Sequence, residues 1–577
     1  MSTTLGTNSS TTHTKTPNPI REWTLMFFFA SDNSLASSII SQLKALKDAG
    51  YHQEVNVVAH FDPHVVNTPS QVFDINLVEK IQAQKNKDEN KVANVAMQIG
   101  FDPADPFVRN LVLDRLWGKN EAEMKEIVRA YVEKSDTPTG LYNPPTPCDE
   151  LIAEGSPRKS LKSFVRFCQE NYPAKHYILV ILGHGEIIGN ETFMLDDNGL
   201  DEHYLSLKEL GEILKDFSRE TTGTLELVGF HSCSMSSLEV AYELAGEQNP
   251  TKREPNPLAG KVKYMLASQG PAYVGSWPYR NLLVELFKDL RDSAQIDVKQ
   301  MVRQMFRYCF FNSQDFQMAG YSFDIALVDI DNVSKTKEKI KNLGKLLSDS
   351  LQSDPSVTKN LIRLAHLEAQ SFSSESYTDL WDFCWCLEDA CQQSEHREDA
   401  VIMNIVAACK EVRSNLRTYK RTPNEQDNGQ PQPNEKLVYR SAFVGPAFQY
   451  SHGLSVFFPW KEPVGPQRWS DEYFKSGFHQ TTEWGNFLQT YFDKTMRTSR
   501  LREIKDREPE NDSNVDRTLS GRLLDLMDKA AEKGPFIGQL AKPGPDHPMG
   551  KWGPDDPTGA ACGCSSIKNY PRSVSKE

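Results

Sequence analysis

The chain has 577 residues, more than one hydrophobic core usually holds, so we expect two structured regions with additional tails. Its formal net charge of −13 disfavours binding to nucleic acid or to an anionic membrane surface. No apolar run reaches the roughly 18 residues that a membrane-spanning helix needs, which disfavours a membrane span.

The first segment, residues 1–19, is rich in Ser, Thr, Asn and Pro, which predicts a disordered N-terminal tail. It does not contain the apolar core of a secretory signal. The 10 cysteines of the chain are scattered rather than dense, as in proteins of reducing compartments. We therefore predict a cytoplasmic location.

Residues 20–297 alternate strand-like and helix-like segments, the pattern of an α/β fold. The first predicted strand lies within Glu22–Ala30 and the second within Val55–Asp62. A long segment near residues 68–156 interrupts the alternation, and we predict that it is a surface insertion.

Two later strands each lead into a reactive side chain. Tyr177–Leu182 is followed closely by His184, and Leu225–Phe230 is followed closely by Cys233. Between them, Leu205–Phe217 has apolar residues at three- and four-residue steps, as an amphipathic helix does. A strand–helix–strand unit makes its two strands parallel, so their carboxyl ends meet at one edge of the sheet. The sequence therefore predicts that the imidazole and the thiol lie close together.

These residue types suit nucleophilic catalysis. The thiolate is the reactive form of cysteine, and an adjacent imidazole promotes its formation, so we assign Cys233 as nucleophile and His184 as general acid and base. Gly185 has no Cβ, which lets main-chain N–H groups approach a substrate carbonyl. We assign its N–H and that of Cys233 to an oxyanion hole. The residues after Cys233 are typical of a helix, whose N-terminal dipole favours a thiolate.

Residues 298–495 are mostly helix-like, with a linker at Pro423–Pro433 and strand-like aromatics at Leu437–Trp460. Residues 496–577 are dominated by charge and proline, which predicts a mostly flexible tail with one short amphipathic stretch at Leu519–Met527.

Five short sequence blocks follow one another along the chain in the order that a known family has them: Gly183–Gly185, Gly229–Leu244, Met265–Gln269, Tyr377–Phe383 and Gly453–Pro459. They resemble the clostripain family of cysteine peptidases, peptidase family C11, over about residues 20–495. The resemblance implies a caspase-like three-layer αβα sandwich around a mostly parallel sheet, with a catalytic domain at 20–297 and a largely helical C-terminal family region at 298–495. It also implies a cysteine endopeptidase that acts on protein or peptide substrates. The separation of the predicted His and Cys is close to the roughly 50 residues seen in caspases.

The sequence departs from the family beside the nucleophile. His231 and Ser232 stand where the family usually has Asp-Ala, and that Asp is implicated in preference for Arg or Lys at the cleavage site. Ser268 and Gln269 stand where an acidic residue is more usual. We assign His231, Ser268 and Trp277 to substrate binding, but a preference for basic residues does not follow.

Several alternatives stay open. His231 is an alternative base, and a caspase-like scaffold that acts as a regulatory protein-binding module is the alternative function. The segment Asp196–Glu202 carries several oxygens, and clostripain-type enzymes include calcium-dependent members. Its spacing is not that of an EF-hand, and its Asn-Gly pair is typical of a hairpin tip. We predict no metal site and no cofactor, with calcium as the alternative. The sequence carries no signal for a particular oligomeric state.

Overall fold

The computed structural model describes three stretches of the chain. They are residues 20–75 without 32, 34 and 63–70, residues 157–245 without 186–193 and 195–203, and residues 262–495 without 293–296, 312–320, 354, 373–375, 418–435, 461 and 464–468. The predicted tails at 1–19 and 496–577, most of the predicted insertion, the linker Pro423–Pro433 and the segment Asp196–Glu202 lie outside the described residues.

A mostly parallel sheet forms the centre of the molecule. Its strands are β1 (Arg21–Phe29), β2 (Val55–Phe61), β3 (Gln71–Asp74), β4 (Ala174–Leu182), β5 (Thr224–His231), β6 (Tyr264–Ala267), β7 (Phe323–Asp329) and β10 (Val438–Val444). Within the described residues, the sheet has eight strands in the order β10-β7-β6-β5-β4-β1-β2-β3. The neighbours from β6 to β2 pair in parallel, whereas β3, β7 and β10 pair antiparallel with their neighbours.

Helices surround this sheet and continue beyond it. They are α1 (Ala36–Lys47), α2 (Pro157–Asn171), α3 (Leu207–Glu220), α4 (Leu238–Leu244), α5 (Tyr279–Asp292), α6 (Val298–Phe311), α7 (Val333–Ser353), α8 (Pro355–Glu368), α9 (Leu380–Gln393), α10 (Ala400–Leu416), α11 (Trp469–Tyr473), α12 (Gly477–Thr482) and α13 (Trp484–Thr495). A small antiparallel sheet joins β8 (Ser371–Phe372), β9 (Tyr377–Asp379) and β11 (Ser455–Phe457).

Both faces of the central sheet are buried. Alternate residues of β1 enter two different cores: Leu25 and Phe27 pack with α1, α5 and α6, whereas Met26 and Phe28 pack with α2, α3 and α4. Since a strand covered on both faces has no polar side, β1 is a continuous apolar run rather than an alternating one. This arrangement confirms the predicted three-layer αβα sandwich.

Local sequence signals fix the helix between the two strands that carry the candidate site. Ser206 precedes α3, and its Oγ accepts a hydrogen bond from the main-chain N–H of Glu209 at 3.3 Å. The Glu209 carboxylate accepts the N–H of Ser206 in return at 3.0 Å. This capping box satisfies N–H groups that the start of a helix leaves unpaired, so the predicted amphipathic helix begins where the sequence indicates.

The C-terminal region is largely helical, as predicted, but it also completes the sheet. Strand β7 was not predicted, although Phe323–Asp329 is a buried run in which only the two Asp residues are charged. The core against α2, α3 and α4 continues into α7–α10 and α13. The sheet and this core therefore cross the predicted domain boundary at residue 297, which stays a prediction. In the part of the chain that the structure describes, no helix is long and apolar enough to cross a membrane.

Candidate active site

The two strands that carry the candidate residues are direct neighbours. β4 and β5 pair in parallel, with Leu182 opposite His231. His184 and Cys233 follow these paired ends at the same distance along the chain, so both lie at the carboxyl edge of the sheet, where α/β folds place their chemistry. The predicted parallel pairing is confirmed.

Gly185 lies directly against Cys233. A Cβ built at Gly185 would lie 1.8 Å from the carbonyl oxygen of Cys233 and 2.6 Å from its nitrogen. No side chain fits in that space, so only glycine allows the two segments to approach this closely. The structure thus brings together the segment of the candidate base and the main chain of the candidate nucleophile.

The thiol of Cys233 is enclosed. Cys233 is 0% exposed. The main-chain N–H of Ala272 points to Sγ at an N–S distance of 3.4 Å, and the carbonyl oxygen of Ala272 lies 3.7 Å from Sγ. The segment after β6 therefore contacts the sulfur directly.

A strained turn follows Cys233. Ser234 has a φ of 58°, which L-residues other than glycine, asparagine and aspartate seldom adopt, and its N–H donates to the carbonyl of Gly270 at 3.1 Å. Helix α4 begins only at Leu238, with Ser237 as its N-cap. The predicted helix directly after Cys233 is therefore wrong in its start, because the turn comes first. Cys233 therefore does not lie at the N-terminus of α4, where a helix dipole would favour the thiolate.

His184 is only partly buried, in contrast to Cys233. Burial lowers the pKa of its imidazole from 6.5 to about 4. The ring is therefore neutral at pH 7, the state in which it accepts a proton from a thiol. The carbonyl of His184 accepts a hydrogen bond from the N–H of Met194 at 3.2 Å, which anchors the main chain at this position.

His231 is buried, with hydrogen-bond partners on both ring nitrogens. It is 0% exposed, and its Nε2 lies 2.6 Å from the carbonyl oxygen of Tyr273, an acceptor only, so we assign the proton to Nε2. Nδ1 then accepts from the Tyr279 hydroxyl at 2.8 Å. Burial lowers the pKa of His231 to about 3, opposed by the bond to Tyr273. Both ring nitrogens are engaged inside the protein, which leaves neither for a base or a substrate contact.

The other residues assigned to substrate binding are also enclosed. Ser268 is 4% exposed, and its carbonyl accepts the N–H of Ser236 at 2.9 Å. Trp277 is 3% exposed, stacks on His231 with ring centroids 5.0 Å apart, and approaches the Cα of Gly229 on β5. These side chains are buried around the site, and their contact with substrate stays a prediction.

A buried polar network that the sequence did not predict lies beside the thiol. Asp324, on β7, accepts the main-chain N–H groups of Gln269 and Gly270, each at 2.8 Å. The Gln269 side chain donates to Asp379 at 3.0 Å and accepts the N–H of Gly453 at 2.8 Å. The signal that could have found Asp324 is a carboxylate inside an apolar strand, because a buried charge is retained only with hydrogen-bond partners.

Gln269 also explains one departure from the family pattern. Its Nε2 donates to a carboxylate oxygen of Asp379, which an acidic residue at position 269 could not do without a proton.

Among the described residues, no group of three or more His, Cys, Asp or Glu side chains is arranged to hold a metal ion.

A comparison with protein families decides the relationship. The clostripain family model matches residues 27–491 of the chain. The chain belongs to the clostripain family. A curated relative, clostripain of Hathewaya histolytica, is 24% identical over 238 residues, which are 39% of this chain and 36% of clostripain. The match thus spans about a third of the length of that relative.

Solved structures of the C11 family are similar at low identity. An inactive zymogen C11 protease from Parabacteroides distasonis is 14% identical, with a TM-score of 0.44, over 81% of this chain and 99% of that chain. A secreted C11 cysteine protease from Bacteroides thetaiotaomicron, in complex with an irreversible peptide inhibitor, is 12% identical, with a TM-score of 0.44, over 80% of this chain and 99% of that chain.

Proposed function

We propose that this member of the clostripain family is a cysteine endopeptidase in which Cys233 and His184 form the catalytic dyad. The observation that carries the proposal is the contact of Gly185 with the Cys233 main chain at the ends of two paired parallel strands. Family membership supports the reaction class, since the clostripain family is a peptidase family.

The proposed reaction begins with proton transfer from the Cys233 thiol to the neutral imidazole of His184. The sulfur attacks the carbonyl carbon of the scissile bond, and the main-chain N–H groups of Gly185 and Cys233 hold the oxyanion. His184 then protonates the leaving amine, and an acyl-enzyme remains. Water, deprotonated by His184, hydrolyses the thioester and restores the thiol.

Ala272 contacts Sγ through both its N–H and its carbonyl, so the segment around Ala272 forms part of the wall beside the proposed nucleophile. The proposed mechanism uses no cofactor. Assays with added calcium and with a chelator test the calcium alternative, and cell fractionation tests the predicted cytoplasmic location.

The full enclosure of Cys233 favours a second candidate function, a caspase-like binding module without catalysis. The test is a library of fluorogenic peptides with purified protein and its Cys233→Ala variant. Cleavage by the wild-type protein and none by Cys233→Ala supports the proposed peptidase activity, because the substitution removes a single sulfur atom. Cleavage that persists in the variant excludes Cys233 as nucleophile, and no cleavage by either favours the binding module.

A further inference from the structure

Asp324 is a buried carboxylate that the proposed mechanism leaves unused. It is 2% exposed, and its two oxygens accept the consecutive main-chain N–H groups of Gln269 and Gly270, Oδ2 from the first and Oδ1 from the second, each at 2.8 Å. Two donors from one segment that converge on one carboxylate fix both the position and the direction of that segment.

The same segment touches the nucleophile on two sides. The Gly270 carbonyl accepts the N–H of Ser234, the residue that directly follows Cys233, at 3.1 Å. Two residues further on, Ala272 contacts the sulfur with its N–H at 3.4 Å. Hydrogen bonds, together with the main chain of residues 270–272, therefore connect Asp324 to the turn that follows the thiol and to the thiol itself.

Packing leaves this segment little freedom. A Cβ at Gly270 would lie 2.7 Å from the ring of Phe448 and 3.1 Å from Oδ1 of Asp324. Glycine is thus required where the segment passes between the ring and the carboxylate, and the hydrogen-bonded path has no room to shift sideways.

We propose that Asp324 is a positioning residue for Cys233, which holds residues 269–272 so that the turn at Ser234 and the main chain of Ala272 keep the thiol in place. The expected effect on kcat rests on the proposed function, whereas the positioning of the thiol by residues 269–272 does not.

Burial and hydrogen bonds act in opposite directions on the Asp324 carboxyl. Burial is the largest cause that raises its pKa to about 7, the two main-chain N–H groups oppose this increase, and the nearby Asp379 adds a smaller increase that the value of about 7 already includes. Burial of a carboxylate costs free energy unless it is hydrogen-bonded, and the Gln269 and Gly270 donors supply those bonds.

The test is Asp324→Asn, which keeps the side-chain volume but replaces one acceptor oxygen with an NH2 group that faces a donor. We expect iodoacetamide to alkylate Cys233 on the order of tenfold faster in the folded variant, because residues 269–272 move away from the sulfur more often. Cys168 and Cys309, which are also buried, should keep their wild-type rates, as followed by mass spectrometry of their peptides. On a cleaved peptide, kcat should fall by about tenfold while KM changes less than about threefold.

The matched control is Asp329→Asn at the other end of β7, where the carboxyl is also buried and does not contact residues 269–272 in the hydrogen bonds described. It should leave Cys233 alkylation and kcat unchanged. If Asp324→Asn does not fold, Asp324→Ser, which is smaller and removes one of the two acceptor oxygens, takes its place, and the same selective alkylation is expected.

Two results would overturn the inference: an unchanged Cys233 alkylation rate in the folded variant, or an equal increase at all three cysteines, which shows only global destabilisation. If the wild-type protein cleaves no peptide, the proposed function fails. The alkylation rates then still decide the role of Asp324, because they need no substrate.

Discussion

His231 is the last residue of β5 and His184 lies two residues after the neighbouring β4, and the surroundings of their rings differ. Both nitrogens of His231 are bonded to Tyr273 and Tyr279, and the ring stacks on Trp277. His184 is partly exposed beside the Gly185 segment that contacts Cys233. A catalytic base needs a ring nitrogen that is available to the proton it transfers, which favours His184.

Replacement of each histidine should therefore have a different effect. We expect His184→Ala to lower kcat/KM by about 10²-fold or more with little change in stability. We expect His231→Ala to lower the free energy of unfolding by about 2–4 kcal/mol, because it leaves a cavity and unpaired Tyr groups. Peptide kinetics and urea unfolding of both variants are the measurements, and the opposite ranking would transfer the base role to His231.

The protonation of His184 can be followed directly. Its pKa is lowered to about 4, below the 6.5 of an unfolded chain, so its contribution to stability is present above pH 6.5 and is lost as the pH falls towards 4. We expect an NMR titration of its ring in Cys233→Ala to give a midpoint well below pH 6. The variant removes the thiol, whose titration would otherwise couple to the ring. A midpoint near 6.5 would show that the ring is solvated.

The neutral, enclosed state of His231 bears on cleavage specificity. An acidic residue in the substrate pocket favours Arg through a charge-assisted, two-bond contact, and His231 offers no such contact. We therefore expect weak selection for Arg or Lys at the cleavage site. Substrates that differ only at this residue test it: a preference for Arg over Leu on the order of 10³-fold in kcat/KM, or about 4 kcal/mol, would show that another carboxylate enters the pocket.

At the scale of secondary structure, the site depends on how closely two strand-end loops approach. The Gly185 loop after β4 lies against the main chain of Cys233 after β5, and its would-be Cβ overlaps backbone atoms rather than a flexible side chain. Backbone cannot yield without moving a whole segment, so the contact is sensitive to a single methyl group.

Gly185→Ala should accordingly lower kcat/KM by about 10²-fold or more, because the loop must move away from Cys233 and its N–H then misses the oxyanion. The control is Gly344→Ala within α7, where an added Cβ would meet Trp484 at an ordinary 3.6 Å. That substitution should stabilise the protein by about 0.4–1 kcal/mol and leave kinetics unchanged. Wild-type activity in Gly185→Ala would argue against the predicted oxyanion hole.

At the scale of the whole molecule, buried acids and bases act on stability in opposite directions. Burial lowers the pKa of His60, His231 and His366 to about 3, so these residues reduce stability as the pH falls below 6.5. Burial raises the pKa of Glu239 and Asp382 to about 7, so these residues reduce stability as the pH rises from about 4 to 7. The two effects oppose each other between these limits.

We therefore expect the Tm to change little between pH 7 and 5, and Glu239→Gln to make it fall more steeply on acidification. In the wild type, Oε1 of Glu239 accepts from Phe457 and Tyr473, while Oε2 is buried with no hydrogen-bond partner among the described residues. The glutamine keeps the first oxygen and removes the titration. Calorimetry at several pH values measures both slopes, and parallel slopes would exclude Glu239 as a contributor.

The sequence alone determined the parts of this protein that depend on local periodicity. Apolar runs predicted β1, β2, β4 and β5, the amphipathic stripe predicted α3, and the order of strand, helix and strand required His184 and Cys233 to share one edge of the sheet. These signals are local, because side-chain alternation and helical repeat follow from backbone geometry. Motif order also identified the family.

Only the tertiary structure decided what surrounds the thiol. Three sets of contacts around the site join residues about 40 to 55 positions apart. They are the contacts of Ala272 with Cys233, the hydrogen bonds of His231, and the hydrogen bond of Asp324 with Gly270. The positive φ of Ser234 delays the start of α4 for the same reason, since the Gly270 carbonyl holds its N–H. Such contacts depend on which loops the sheet order brings together, and no periodicity of the chain encodes that order.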